Sequence, residues 1–231
     1  MRILHLAKYL VIFACLFMSY DLNSGAITSG EQTVNAIKLP APLLKGNLSV
    51  EEALFRRRSV REYRDEPLTV GEVGQLLWSA QGITAGWGGR TAPSAGATYP
   101  LEVYLVAGKV EGLKPGLYLY LPSSHNLVRT IEGDLRKNLA LAAFGQKMIE
   151  AAPATIVIVG AFHRTTVRYG DRGFRYVYME AGHAGENIYL QAEASGLATV
   201  GIGAFNDKVV KEILKLKEDP IYLMPVGKKI R

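Results

Sequence analysis

Two short basic clusters contain the first residues of this chain that could do chemistry. One comprises residues 56–58, all arginine, with Arg61, and the other comprises Lys228, Lys229 and Arg231. The chain has 27 Lys and Arg against 21 Asp and Glu, a net charge of +6, and much of the excess lies in these clusters. Nucleic-acid binders usually spread basic residues along a face with aromatic residues between them, so no nucleic-acid partner is expected. Compact clusters suit a phosphate group, and solvated surface charge is the alternative interpretation.

A run of small residues, TAPSAGATYP at positions 91–100, is the second candidate for a binding role. Side chains of this size cannot build a core, and a plain linker of this length between two ordered elements would be unusual. We therefore expect the run to hold backbone groups and hydroxyls against a flat ligand.

A pair of glycines near the end of the chain resembles part of a nucleotide-binding motif. Gly201-Ile202-Gly203 follows a predicted strand and precedes a predicted helix. The third glycine of a dinucleotide fingerprint is missing, and too little chain follows for the rest of such a unit. The pattern predicts no Rossmann-type site, but it does predict a loop where a ligand approaches backbone N–H groups closely.

Residues that bind metals or act as nucleophiles are scarce. The single cysteine, Cys15, lies in an N-terminal apolar run, and the whole chain has four histidines. Glu180 and His183 have the Glu-x-x-His spacing of di-iron proteins, but those proteins need the motif twice, so we interpret it as helix packing. No metal site, disulfide or hydrolase triad is predicted for the globular part.

The elements that must position these residues can be read from apolar periodicity and capping signals. Capping boxes at 49–52 and 69–72 predict two helix starts, and Gly196 predicts the end of the longest helix. Further helices are predicted at 134–144, 174–195 and 206–216, and strands at 101–107, 117–121, 127–131, 155–159, 197–202 and 221–226. This pattern predicts one α+β domain, with a mostly antiparallel sheet flanked by helices.

The N-terminus has the pattern of a targeting segment. Residues 9–18 form an uncharged apolar run after a mildly basic start, and Ser24-Gly25-Ala26 offers a cleavage site. We therefore predict a signal peptide or membrane anchor at 1–26, an extended leader at 27–47 and the domain at 48–231. The expected location is exported or membrane-anchored, on the periplasmic side; a cytoplasmic protein with a misassigned start is the alternative.

Four motifs in a fixed order resemble the nitroreductase superfamily, and most closely its SagB-type dehydrogenase branch. The resemblance runs from about residue 48 to 226. The motifs are Arg57-Arg58-Ser59-Val60-Arg61, the loop at 93–100, Glu180 to Asn187 on the long helix, and Gly203-Ala204-Phe205 with Met224-Pro225-Val226-Gly227. The resemblance implies a homodimer that holds FMN at the subunit interface.

The same resemblance implies a set of FMN-binding residues. Arg57, Ser59 and Arg61 would bind the ribityl chain and phosphate, with Arg58 in support, and Lys228 and Lys229 would complete the phosphate site. Pro93, Ser94, Ala95 and Gly96 would cover the flavin ring, from the partner subunit. Ile202, Gly203 and Ala204 would lie along the N5 and O4 edge of the ring.

The catalytic residue is the least defined part of this site. SagB-type enzymes that oxidise azolines share a catalytic Lys-Tyr pair, and the resemblance suggests Arg168-Tyr169 as its counterpart in this chain. Arginine holds its proton too tightly to be a good base, which puts azoline oxidation in doubt. Tyr169 is left as a candidate proton donor, and a loop tyrosine at the pocket rim is the alternative.

These observations predict an FMN-dependent oxidoreductase that transfers a hydride between flavin N5 and a small nitro, quinone or unsaturated compound. NAD(P)H is the expected hydride donor. The alternatives are a SagB-type dehydrogenase that acts on a modified peptide, and an exported flavin-binding protein without turnover.

Overall fold

The computed structural model describes residues 36–230, which form one sheet with helices on both faces. The strands are β1 (Ala36–Lys38), β2 (Tyr63–Arg64), β3 (Leu101–Ala107), β4 (Gly116–Leu121), β5 (Asn126–Glu132), β6 (Ala154–Gly160), β7 (Leu197–Thr199) and β8 (Asp219–Lys229). The helices are α1 (Val50–Arg56), α2 (Val70–Gln81), α3 (Arg136–Ala142), α4 (Lys147–Ala151), α5 (His163–Tyr169), α6 (Arg172–Ala194) and α7 (Asp207–Ile213).

The strands pair in the order β1-β5-β4-β3-β6-β8-β2, and β7 pairs with β8. All of these pairings are antiparallel. The prediction of an α+β fold with an antiparallel sheet flanked by helices is therefore confirmed.

The central strand β6 explains why both faces of the sheet are covered. All seven of its residues are buried, and successive side chains of a strand point to opposite faces. Ile156 and Ile158 join an apolar cluster with residues of α2 and α6, whereas Val157 and Val159 join one with residues of α3 and α7. Helix α6 thus packs on the face of the sheet that Ile156 and Ile158 occupy.

Local signals fix the helix ends as predicted. Ser49 and Thr69 both close capping boxes with a glutamate three residues later, so α1 and α2 begin where their sequences indicate. Gly196, just beyond α6, has a φ of +66°, the left-handed conformation that ends many helices.

The structure also contains elements that the sequence did not predict. Helices α4 and α5 are five and seven residues long, and each buries a single side chain, so neither shows an apolar stripe. The predicted strand at 197–202 is shorter: β7 ends at Thr199, and Ile202 pairs separately with Leu223.

The predicted signal peptide at 1–26 lies outside the described residues, as does the first part of the predicted leader. From residue 36 on, the leader is ordered against the domain, since β1 pairs with β5 and Leu39 is buried. Among the helices within 36–230, none is both long and apolar enough to cross a membrane.

Candidate functional site

Tyr189 on α6 joins two segments that are far apart in the sequence. Its hydroxyl lies 3.0 Å from the Ser59 Oγ and accepts the N–H of Gly201 at 2.6 Å. The Arg57 guanidinium lies over the Tyr189 ring, 5.3 Å from its centroid. Arg57, Ser59, Tyr189 and Gly201 are called the Tyr189 cluster below. The structure thus brings the first arginine motif and the glycine loop to one place.

The arginines of this motif differ in what they contact. Arg57 is 3.8 Å from a Glu186 carboxylate, and both side chains are at least one-third exposed, so this long ion pair contributes little to stability. Its guanidinium therefore keeps donors for a ligand. Arg58 donates to the carbonyl oxygens of Phe55 and Arg57, at 3.0 and 2.7 Å, and so shapes the turn after α1. Arg61 is exposed.

A slot of about 170 Å³ lies beside this cluster, between α6 and β8. Its lining residues are Gly182, Gly185, Glu186, Tyr189, Gly201, Tyr222 and Met224. A Cβ at Gly182 would meet no atom within 4 Å, and one at Gly185 would only touch Tyr222 and Met224. The absence of side chains at these two positions therefore keeps the slot open, between polar and apolar lining groups.

The segment after β7 offers backbone donors to the same region. Ile202 is buried and exchanges two backbone hydrogen bonds with Leu223, at 2.9 and 3.0 Å. Gly203 and Ala204 are exposed, and the Ala204 carbonyl oxygen accepts a hydrogen bond from the Gln146 side chain at 2.8 Å. Within residues 36–230 neither the Gly203 nor the Ala204 N–H donates to a protein acceptor. Two fixed amides are thus available to a ligand.

The two C-terminal lysines lie on β8 and are engaged in ion pairs with the protein itself. Lys228 contacts the Glu72 carboxylate on α2, and the Lys229 Nζ lies 2.7 Å from Glu193 on α6. Neither ammonium group contacts the Tyr189 cluster. Their role at a phosphate remains a prediction, and a phosphate would have to compete with these carboxylates.

The loop at 93–100 has a strained backbone. Gly96, Ala97 and Tyr99 have φ values of +60°, +53° and +43°, which residues with a side chain rarely adopt. The Ser94 Oγ accepts the Tyr99 N–H at 2.9 Å and closes the loop on itself. Pro93 and Gly96 are exposed, and Ala95 begins a short 3-10 turn. Such strain persists only where surrounding contacts hold it, and it is common at ligand sites.

Helix α5 supplies those surrounding contacts. Arg168 Nη1 donates to the Gly96 carbonyl oxygen at 3.2 Å, and the hydroxyls of Thr98 and Thr165 are 2.8 Å apart. A Cβ at Gly96 would lie 2.5 Å from the Tyr169 hydroxyl, so a side chain there would displace Tyr169, and the φ of +60° also favours glycine. Tyr169 is the last residue of a helix and not part of a loop, and its hydroxyl lies against the predicted flavin-covering segment.

Two residues of the site were not predicted as functional from the sequence, Tyr189 and Glu180. Glu180 was interpreted as helix packing, and it does lie on the buried face of α6, with only 2% of its surface exposed. Burial raises the pKa of its carboxyl group to about 7, even though Ser94, Arg90 and Gln81 favour the charged form. The sequence did contain a signal for Glu180, because it is an ionisable residue within a helical stripe of Gly, Ala, Val and Ile.

The site therefore has two parts, both anchored on α6. Glu180 faces the loop and Tyr189 faces the arginine motif, nine residues or about 13 Å further along the helix. In the described part of the chain, no three His, Cys, Asp or Glu side chains are grouped so that they could hold a metal ion.

Comparisons of sequence and structure match this chain to nitroreductases and to a flavin reductase. The model of the nitroreductase family matches residues 54–228. A candidate nitroreductase of Methanocaldococcus jannaschii is 50% identical over 183 residues, which cover 79% of this chain and 92% of that protein. An FMN reductase of Bacillus subtilis, named for NAD(P)H, is 25% identical over 77% of this chain and 63% of its own length. A crystal structure of a candidate nitroreductase from Ralstonia eutropha is similar with a TM-score of 0.74 at 30% identity, covering 85% of this chain and 90% of that one.

Proposed function

The chain belongs to the nitroreductase family, and we propose that it is an FMN-dependent oxidoreductase. The family supports a flavin-dependent oxidoreductase in general. Bound FMN would supply hydride transfer at its N5 atom between NAD(P)H and a small nitro, quinone or unsaturated compound. The observation that carries this proposal is the Tyr189 cluster, because it joins the arginine motif to the glycine loop beside an open slot, and the Gly203 and Ala204 amides follow in that loop.

The residues of the cluster fit the chemistry of FMN. Arg57 and Ser59 offer a cation and a hydroxyl to the ribityl phosphate, and Arg61 is exposed nearby to add a second cation. The glycine-lined slot accepts a flat ring, because side chains at positions 182 and 185 would narrow it. The N–H groups of Gly203 and Ala204 would hydrogen-bond along the N5 and O4 edge of that ring.

The size of the slot supports a site shared between two subunits. Its volume of about 170 Å³ is below the roughly 300–1,000 Å³ of ordinary ligand pockets. Exposed apolar side chains lie on α1 and α6, which pack against each other, and Phe55 on α1 is 79% exposed. We propose that these helices form a homodimer interface, where the loop at 93–96 of the partner subunit covers the flavin.

In the reaction FMN would supply the hydride chemistry, and the protein would bind and orient both reactants. The amides of Gly203 and Ala204 would stabilise negative charge on the ring. The Tyr169 hydroxyl, held at Gly96, would donate a proton to the reduced acceptor at the ring face.

One observation favours a second candidate, a SagB-type dehydrogenase that acts on a modified peptide. Arg168 and Tyr169 lie together at the loop, and the sequence resemblance pairs them with the Lys-Tyr pair of those enzymes. Arg168 donates to the Gly96 carbonyl oxygen, and arginine is a poor base, so abstraction of a proton from an azoline ring has no evident base.

Anaerobic mixing of the FMN-loaded protein with NADH or NADPH tests the proposed activity. Bleaching of the flavin absorbance by either nucleotide, followed by recovery on addition of a quinone or nitro compound, is the expected result. A bound flavin that neither nucleotide reduces would instead favour the peptide dehydrogenase or a flavin-binding protein without turnover.

A further inference from the structure

A small set of buried polar groups lies between α6 and the loop at 93–100. Four buried side-chain atoms in the described part of the chain lack a hydrogen-bond partner. Three of them meet here: Gln81 Nε2, Arg90 Nε and Glu180 Oε1. Such unpartnered atoms are costly, and their grouping marks a place where burial is not fully compensated by hydrogen bonds.

Among residues 36–230, Arg90 is the one cation that acts on Glu180, and its guanidinium has other partners. Its Nη1 donates to Gln81 Oε1 at 2.7 Å, and its guanidinium lies 4.6 Å from the centroid of the Tyr99 ring. Ser94 and Gln81 lie close to the Glu180 carboxyl group, yet neither makes a well-aligned hydrogen bond to Oε1. The buried carboxylate is therefore only partly compensated.

The other titratable groups around this set do not supply a counter-charge. Tyr99 of the loop and Tyr120 of β4 face Arg90, and Arg164 of α5 acts on Arg90 from further away. On α6 itself Tyr176 lies one turn before Glu180 and is half-buried, and His183 lies one turn after it and is exposed. None of these groups offers a positive charge directly to the carboxylate.

Both Ser94 and Arg90 belong to the segment between α2 and β3, so a movement of this segment would admit water to Glu180. A buried carboxyl group is disfavoured in its charged form, and hydration removes that penalty. The position of the segment and the proton on Glu180 are therefore linked. For this group the conformation that covers it is stabilised at low pH, because burial raises its pKa to about 7.

We propose that Glu180 is a positioning residue that sets the loop at 93–100: the loop packs down while the carboxyl group is neutral and loosens when it ionises. Only one part of this inference rests on the proposed function, namely that the loop covers the flavin. If the loop covers the flavin, loss of the Glu180 proton opens the loop, and protonation of Glu180 closes it over the ring.

Amide hydrogen exchange of residues 91–99 tests this in the full-length protein without FMN, at pH 5.5 and 8.5, with rates expressed as protection relative to an unstructured chain. In the wild type, protection should fall by roughly tenfold or more at the higher pH. Glu180→Gln, which mimics the neutral acid, should keep its protection at both pH values. Glu212→Gln removes the same charge from an exposed position on α7 and should behave as the wild type does.

Equal protection of residues 91–99 in the wild type at the two pH values would overturn the proposal, and so would a Glu180→Gln protein that keeps the wild-type pH dependence. Should Glu180→Gln fail to fold, the wild-type comparison still decides. Because no FMN is present, the result does not depend on the cofactor, and FMN titration at a single pH judges the proposed function separately.

Discussion

At the scale of single residues, the Tyr189 hydroxyl makes the most informative contact, since it bridges Ser59 and Gly201 across 130 and 12 positions of sequence. It holds the arginine motif and the glycine loop at a fixed separation. A ligand that touches both segments then binds to a preorganised site, which lowers the cost of ordering them.

Tyr189→Phe removes both contacts and keeps the ring. Because each hydrogen bond is worth about 1 kcal/mol, FMN affinity should fall roughly tenfold, with a small loss of stability. Titration of the protein with FMN measures the affinity. Tyr118→Phe removes one hydroxyl contact, to the Lys114 carbonyl oxygen, away from the cluster, and should leave FMN affinity unchanged. Equal affinities of Tyr189→Phe and the wild type would show that the bridge plays no part in binding.

The buried carboxyl group predicts a distinct pH dependence of stability. The pKa of Glu180 is about 7 in the folded protein against an ordinary value near 4.5, so its contribution is fully present below pH 4.5 and is lost as the pH rises toward 7. Glu180→Gln should therefore be more stable than the wild type at pH 8, by about 1–3 kcal/mol, and lose this advantage at pH 5. Thermal unfolding at the two pH values checks this, and a difference that is the same at both would contradict it.

Sequence reasoning at this scale identified Arg57, Ser59 and Gly203 as candidates but did not predict their partners. Motif residues carry their own signal, because their types and spacing suit a phosphate and a close backbone approach. Glu180 interrupts the apolar stripe of its helix, which marks it as unusual but does not name its partners. Tyr189 depends on contacts with distant residues, and a tyrosine in a helix has no local mark of such a contact.

At the scale of elements, the helix ends that are set by local capping interactions could be predicted from the sequence. The boxes at Ser49 and Thr69 and the glycine after α6 are set by neighbours within a few residues, and all three lie where predicted. Helices α4 and α5 are fixed by packing against the rest of the domain, so the sequence gives no periodic pattern for them.

Helix α1 positions Arg57 at its C-terminal end, and the N-cap residue Ser49 stabilises this helix. Ser49→Ala removes the hydroxyl that accepts the Glu52 N–H at 3.1 Å and should cost about 1 kcal/mol, or about 2–4 °C in Tm. Ser123→Ala, at an exposed turn, is the matched control and should change Tm by less than about 1 °C. The result would be contradicted by equal Tm values for the two variants.

At the scale of the whole molecule, the small slot and the exposed apolar faces support our proposal that one chain is half of a site. Phe55→Asp places a charge on the proposed interface and should convert a dimer to a monomer, with loss of most bound FMN. Analytical ultracentrifugation with absorbance at the flavin band measures both. Leu141→Asp, at a residue of α3 that is 66% exposed, should leave the dimer intact. A Phe55→Asp dimer with full FMN content would exclude this interface.

The expected location of the molecule rests on the apolar run within residues 1–26. We propose that they export or anchor the chain, so fractionation of cells that express the full-length protein should recover it from the periplasm or the membrane. Recovery from the cytoplasm would support the alternative of a misassigned start.

FMN titration of the purified full-length protein, followed by its visible absorption spectrum, tests the central claim most directly. The account predicts about one FMN per subunit in the wild type and roughly tenfold or weaker binding by Arg57→Ala. Arg56→Ala, one residue earlier and paired only with Glu52 on the surface of α1, should bind FMN as the wild type does. A wild-type protein that shows no flavin bands at any FMN concentration, or an Arg57→Ala protein that binds FMN fully, would contradict the account.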